Sequence, residues 1–292
     1  MSPVPDDDRS TSTTALPPEP LDEAARRARR GVFDAGAARY AAARPTYPDG
    51  LFDALAAYGV LGPGARVLEV APGTGQATRP MGLRGWWVHA VELGGGMAAA
   101  ARAHVADLPR VTVEVTAFED WPLPDDPFDA VVCCTAWHWL DPSVRVGKAA
   151  RALRPGGTLA VVWTHHVAGG PSSADDEVTA AYAAAGLQTA WSARRPREED
   201  LTPSTAELAG SPYLGDVRSV TFPVETAYHA GALVELFGTY SEVVALSPAR
   251  RERLLTHLAE LVDARGGLVT RRHVVELVLA RPTAPDDGSS TG

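Results

Sequence analysis

The rhythm of apolar and polar positions changes several times along this chain. Residues 1–20 mix Pro, Ser, Thr and Asp without any period, the composition of a segment that stays disordered. The tail 283–292 reads the same way. Residues 21–30, LDEAARRARR, place acids first and arginines last, an order that complements a helix dipole. Within 49–58, Leu51, Phe52, Leu55 and Ala56 fall on one helical face. From Gly64 onward short apolar runs alternate with helix formers. Strands are predicted at 66–70, 86–92, 111–115, 128–134 and 158–163. Helices are predicted at 76–83, 96–106 and 144–153, the last stopped by Pro155-Gly156-Gly157. This repetition predicts an α/β fold, a doubly wound and mostly parallel sheet with helices on both faces. Right-handed crossovers then line the post-strand loops along one edge, where ligands bind in such folds.

The alternation breaks at 165–215, which carries GGPSS, an Ala-rich helix at 176–185 and the charged run 194–200. That charged run reads as a solvated face. We read the whole stretch as an insertion over the strand ends, a lid. A strand at 217–224, helices at 230–240 and 248–265 and a last strand at 268–279 follow. The expected organisation is a helical cap at 21–58, a core at 59–164, the lid at 165–215, and a C-terminal part of core and pocket at 216–282.

Composition narrows the function. Hydrophobic residues make up 45% and charged residues 22% of the 292, the balance of a globular protein. With 27 Lys plus Arg against 36 Asp plus Glu, the formal net charge is −9, which disfavours phosphate-backbone binding. No apolar run reaches the ~18 residues of a membrane span. The N-terminal residues lack the apolar stretch of a secretory signal. Cys133 and Cys134 are neighbours in one predicted strand, so they point to opposite faces and do not suit a disulfide. The expectation is a cytoplasmic protein with a small-molecule partner, no nucleic acid, no membrane and no metal, as a monomer or homodimer. A single lysine, Lys148, leaves lysine-based covalent chemistry almost no place.

The candidate chemistry sits at VLEVAPGTGQAT, a strand, a glycine turn and a helix start. Such a loop lets a ligand approach the backbone closely. A dinucleotide fingerprint needs G-x-G-x-x-G, but after Gly73 and Gly75 the third position is Thr78. Glu69, just ahead of the loop, disfavours a pyrophosphate and suits a ligand with a cationic amine. S-adenosylmethionine is such a ligand, with an ammonium, a sulfonium and no phosphate. Glu92 follows Ala71 by 21 positions, near the ~20 expected for the acid that accepts ribose hydroxyls. Its two oxygens can take both donors of a cis-diol.

These segments resemble the class I S-adenosylmethionine-dependent methyltransferases. VLEVAPGTG is similar to the first motif of that family, with Ala71 where its first glycine usually stands. VELGGGM, with Glu92 and Met97, resembles the second. TAFEDWPLP, FDAVVCCTAWHWLDP and ALRPGGTLAVVW resemble the following motifs in order, so the likeness covers about residues 66–163. Residues 33–48 and 136–142 resemble the subgroup of trans-aconitate methyltransferases. The resemblance implies a Rossmann-like fold with S-adenosylmethionine as cofactor. It implies cofactor contacts at Tyr40, Arg44, Glu69, Ala71, Gly73, Gly75, Glu92, Met97, Phe118, Glu119 and Thr135. The family's usual adenine-binding Asp is replaced by Ala117, leaving that contact to the backbone of Phe118 and the side chain of Glu119.

Several of these residues have a second reading. Phe118 lies against adenine or in the core. Tyr40 and Arg44 cap the cofactor or pack an N-terminal helix on the sheet, and Arg44 can fork onto a carboxylate of cofactor or substrate. Trp137 and Trp139 wall a substrate pocket. His138 is the candidate general base, or a hydrogen-bonded group of the turn. His165 and His166 follow the fifth strand, where a solvated loop is the favoured reading and one of the two, assigned as His165, facing the pocket is the alternative. Tyr228 is a further pocket candidate. The implied reaction is methyl transfer to an oxygen, nitrogen or carbon of a small acceptor, carboxylate or hydroxyl favoured. The chain's main task is then alignment of the partners. Three alternatives stand beside it: a protein that binds the cofactor without methyl transfer, a methyltransferase of nucleic acid or protein, and a nicotinamide oxidoreductase. Acidity and the lack of an N/D-P-P-Y/F motif oppose a nucleic-acid target, and Glu69 and Thr78 oppose the oxidoreductase.

Overall fold

The computed structural model describes residues 36–170, 173–187 and 195–283. The readings that fall on residues 1–35, 171–172, 188–194 and 284–292 lie outside them. The predicted parallel strands are present as β1 (Arg66–Val70), β2 (Trp87–Glu92), β3 (Val111–Val115), β4 (Phe128–Cys134) and β5 (Leu153–Val167). Two later strands, β6 (Leu214–Tyr228) and β7 (Val269–Pro282), complete the sheet. The order is β3-β2-β1-β4-β5-β7-β6. Strands β1 to β5 run parallel, and β7 runs antiparallel to both β5 and β6. The Rossmann-like architecture is thus as expected.

The last three strands are longer than their apolar runs. The runs 158–163 and 217–224 grow at both ends and 268–279 grows at its C-terminal end, because β7 pairs along almost its whole length, to Arg272↔Val167 on one side and Val269↔Tyr228 on the other. Polar residues such as His165 and Glu225 break the apolar pattern there, but ladder hydrogen bonds hold them in the strand. The break in parallel order accordingly begins only after Val167. The helix predicted at 230–240 ends at Phe237, and a separate short helix, Ser241–Val244, follows it.

Side-chain alternation splits the sheet into two faces. On one, Val67, Ala130, Val132, Ala160, Val162, Val275 and Leu277 pack with Leu51, Phe52 and Leu55 of α2 (Asp49–Gly59) and Met81 of α3 (Thr78–Leu83). On the other, Leu68, Val131, Cys133, Val161 and Val278 pack with Ala149 and Ala152 of α5 (Arg145–Ala152). Cys133 and Cys134 fall on opposite faces and both are free thiols, as the strand period requires. Helix α4 (Gly95–His104) buries Met97, Ala98 and Ala101.

A third cluster stands apart from the sheet core. Val178 and Tyr182 of α6 (Asp175–Ala184), Leu233 and Phe237 of α8 (Ala230–Phe237) and Leu258 of α10 (Pro248–Ala264) pack together, with α7 (Ala206–Ala209) and α9 (Ser241–Val244) between these helices in the chain. Tyr182 meets Phe237 edge-on at 5.7 Å. Helix α1 (Ala37–Ala43) touches both α4 and α8, which brings the N-terminal segment across the carboxyl ends of the strands. Among the described residues no helix is long and apolar enough to cross a membrane.

Candidate active site

The turn after β1 is strained. Ala71, Gly73 and Gly75 have φ of 55°, 59° and 90°. A side chain in this region costs ~1 kcal/mol, which Ala71 bears. A Cβ at Gly75 would sit 3.5 Å from Ala101 Cα, whereas one at Gly73 would meet nothing. Gly75 thus allows α4 to pack closely, and Gly73 leaves its backbone open to the cavity.

Glu69 ends this strand on the α2 face. It is 1% exposed, lines the cavity, and neither carboxylate oxygen has a hydrogen-bond partner. Burial pushes its pKa up to about 8; the Thr78 hydroxyl nearby opposes this and the Glu92 charge adds to it. Thr78 Oγ1 and Gln76 Nε2 are also buried without partners. Gln76 Oε1 accepts from the Thr74 hydroxyl at 2.7 Å, so its amide NH2 is the free end. A buried carboxylate with nothing to receive is expensive, and a cationic ligand would remove that cost.

Glu92, at the end of β2, is built differently. Its Oε2 accepts the Gly73 N–H at 3.0 Å and its Oε1 the Gly94 N–H at 2.9 Å. The carboxylate thus ties two loops together. Met97 and Phe118 complete this end of the cavity. The loop carrying Phe118 is pinned by Lys148, whose Nζ donates to the Glu119 carbonyl at 2.8 Å and the Trp121 carbonyl at 2.5 Å. Glu119 also lines the cavity, and its Oε1 accepts the Asp141 N–H at 3.0 Å.

Thr135 follows β4 with φ of 57°, an unfavourable conformation for a β-branched residue. Two bonds hold it there: its N–H donates to the Val162 carbonyl at 2.8 Å, and its hydroxyl pairs with that of Tyr47. Tyr47, Tyr40 and Arg44 all line the cavity. The Arg44 guanidinium lies 4.8 Å from the Tyr40 ring and 4.6 Å from the Tyr240 ring, and its Nε donates to Thr239 Oγ1 at 3.0 Å.

The far wall comes from the strand extensions. Thr164 and His166 of β5 and Arg271, His273 and Val275 of β7 share one sheet face and line the cavity, with Tyr228 of β6. Burial pushes the pKa of His166 well below the usual imidazole value, and Arg271 pushes it the same way. His273 is lowered by the same two causes.

Four predicted site residues are not on the cavity wall. Gly75 serves helix packing. Trp137 is 1% exposed in the core, and its Nε1 donates to Glu207 Oε2 at 2.9 Å. His138 is exposed, with its ring 4.8 Å from Trp139 and 5.9 Å from Trp163. Desolvation by these indoles and the Arg145 charge lower its pKa. His165 points to the opposite sheet face, where its Nε2 meets Glu276 Oε2 at 2.7 Å. His166 takes the cavity place assigned to His165, because successive strand residues face opposite ways. Trp139 and Tyr228 do line the cavity. Sequence reasoning missed Tyr47, Gln76, Tyr240, Arg271 and His273. Only Gln76, inside the glycine motif, carried a local signal.

Residues 68–161 match the family model of a methyltransferase domain. An uncharacterised methyltransferase of Mycobacterium tuberculosis is 37% identical over 131 residues, 45% of this chain and 51% of that protein. An uncharacterised methyltransferase-like protein of Schizosaccharomyces pombe is 25% identical over 231 residues, 79% of this chain and 85% of its own. The chain spans about half the length of the mycobacterial relatives it matches. A solved structure of a candidate type II methyltransferase from Anaeromyxobacter dehalogenans aligns with TM-score 0.55 and 24% identity, over 83% of this chain and 99% of that one. This likeness shows the fold.

Proposed function

We propose that the protein is an S-adenosylmethionine-dependent methyltransferase acting on a small molecule. The observation that carries the reading is Glu69, a buried carboxylate on the cavity wall with both oxygens unpartnered. An ammonium would draw Glu69 into its ionised form and fill both lone-pair sets, whereas a phosphate has no cation to offer the carboxylate. The methyltransferase-domain match over 68–161 supports it independently.

The residues present fit the cofactor. Glu69 would receive its ammonium, and the free Gln76 amide would donate to its carboxylate. Glu92, at the end of β2, would accept the ribose hydroxyls, with Phe118 against the adenine. When bound, the cofactor supplies an electrophilic methyl group on a sulfonium. The chain's own part is then placement. Tyr47 and Thr135 fix the rim of the cavity, and Tyr40, Tyr240 and Trp139 exclude water around the reacting atoms. His166 lines the cavity where His138 does not and is held neutral by burial and by Arg271, so its ring orients the acceptor by hydrogen bonding rather than by taking its proton. The acceptor atom is an oxygen, nitrogen or carbon, with carboxylate or hydroxyl favoured. The narrower likeness to trans-aconitate methyltransferases rests on residues 33–48 and 136–142, which contribute Tyr40, Arg44, Tyr47 and Trp139 to the wall.

Calorimetry with S-adenosylmethionine and S-adenosylhomocysteine tests the cofactor. Heat with both is expected, and no heat with either refutes the reading. Radiolabelled methyl transfer into small-molecule extracts then separates an enzyme from a protein that binds the cofactor without transferring the group.

A further inference from the structure

Arg271 is a buried charge that the cofactor reading leaves without a role. It projects from β7 into the cavity, is 5% exposed, and its Nη2 has no hydrogen-bond partner. No carboxylate among the described residues forms an ion pair with it. Its guanidinium lies 5.0 Å from the Phe237 ring centroid, which offsets only a small part of the cost of a buried charge. The surroundings add to the positive potential. Arg44 is stacked between two tyrosines, and Arg195 already pairs with Asp175. His166 and His273 are kept neutral, which removes further positive charge but supplies no anion. Glu242 faces Arg44 and Tyr182, and its Oε2 accepts the Ser241 hydroxyl at 3.2 Å.

The two ends of the cavity therefore differ in sign. Glu69 and Glu92 stand at one, and unneutralised guanidinium at the other. They are also far apart along the sheet. Glu69 lies in one row with Val132, Ala160 and Leu279. Arg271 lies eight residues farther along β7 than Leu279, roughly 26 Å of extended strand at ~3.3 Å per residue.

We propose that Arg271 is an anion-binding residue, and that the acceptor carries a carboxylate or similar oxyanion held there as a handle rather than as the methylated atom. The planar fork of the guanidinium suits such a group bidentately. Because the handle sits at the end remote from Glu69, the reacting atom of the acceptor lies between them, beside Thr135 and His166. This inference rests on the methyltransferase reading and names the substrate class of the same cavity.

The test titrates the full chain with benzoate and with its neutral counterpart benzamide, with and without saturating S-adenosylhomocysteine. Benzoate is expected to bind the wild type at least ~10-fold more tightly than benzamide. Arg271→Gln should abolish that preference while leaving the S-adenosylhomocysteine Kd within about twofold, and Arg271→Lys should restore part of it. Equal binding of the two probes, or binding of neither, overturns the proposal. So does a loss of S-adenosylhomocysteine affinity in Arg271→Gln matching the loss for benzoate, which would assign the arginine to the cofactor's carboxylate. Arg271→Met gives an independent readout: the ligand-free Tm should rise as an unpaired buried charge is removed, and a fall would make the arginine a structural strut. If the wild type binds no S-adenosylhomocysteine, the methyltransferase reading fails, while the ligand-free titrations still decide on the anion site.

Discussion

Replacing Glu69 by Gln tests the centre of the site without any knowledge of the acceptor. In the ligand-free fold Glu69 holds its proton up to a pH of about 8, against 4.5 for an ordinary glutamate. Between those values the folded chain carries a proton that the unfolded chain has released. Stability therefore falls as pH rises through this window, by ~1.4 kcal/mol per pH unit. The loss amounts to about 3 kcal/mol at pH 7 and about 5 kcal/mol above pH 8. Glutamine does not titrate, so the stability of Glu69→Gln relative to wild type should climb by about 3 kcal/mol from pH 4.5 to 7. Its buried amide adds a constant penalty of ~1–3 kcal/mol, which shifts the curve and leaves its slope. Urea denaturation at pH 5, 6, 7 and 8 measures the difference. A flat difference would mean that Glu69 titrates as an exposed acid and that the site is misread. The same proton appears in binding. At pH 7 about nine in ten ligand-free molecules hold it, and a cationic amine beside the carboxylate expels it. Binding of S-adenosylhomocysteine should then release ~0.9 proton, read from calorimetry in two buffers of different ionisation enthalpy. Glu69→Gln should release none and bind ~10–100-fold more weakly.

Three further outcomes are expected. Ala71→Gly should raise stability by about 1 kcal/mol in thermal or urea melts, because φ at this position is 55°; a destabilised variant would contradict the strained turn. Trp137→Phe should cost about 1–2 kcal/mol through the lost bond to Glu207 and leave the S-adenosylhomocysteine Kd within about twofold, whereas a large affinity loss would return this indole to the pocket. Glu276 resists burial through bonds from His165, Ser219 and Ser204, which bring its pKa to about 2. Its stabilising effect is present above pH 4.5 and lost as pH falls towards 2. Glu276→Gln should accordingly cost up to about 3 kcal/mol at pH 7 and nothing near pH 2, and an equal cost at both would disprove the linkage.

The parallel half of the fold was legible because each of its strands is a short apolar run closed by a turn. Glu69 and Glu92 were legible because an acid at the end of such a run has no packing reason to be there. The histidine pair was not. Choosing His166 over His165 requires knowing which sheet face holds the cavity, and the strand period alone gives only that they differ. Trp137 and Trp139 are two residues apart and chemically alike, yet one is core and one is wall, because Glu207 and Arg145 gather around the first. Arg271 stands in VTRRHVVE, where buried and exposed polar residues look the same until β7 is seen between two partners. Tyr47 meets Thr135 across 88 positions, a separation no local pattern encodes.

The strand order has a consequence for how the chain is made. In synthesis β6 precedes β7, yet in space β7 lies between β5 and β6. Until β7 leaves the ribosome, β5 presents an open edge and β6 has no neighbour in the sheet, and unpaired edges invite pairing with other chains. Arg271 and His273 arrive only with that strand. The nascent protein thus completes its recognition wall in the same event that covers the β5 edge, so an anion-binding signal in newly released chains would also report that β7 has entered between β5 and β6.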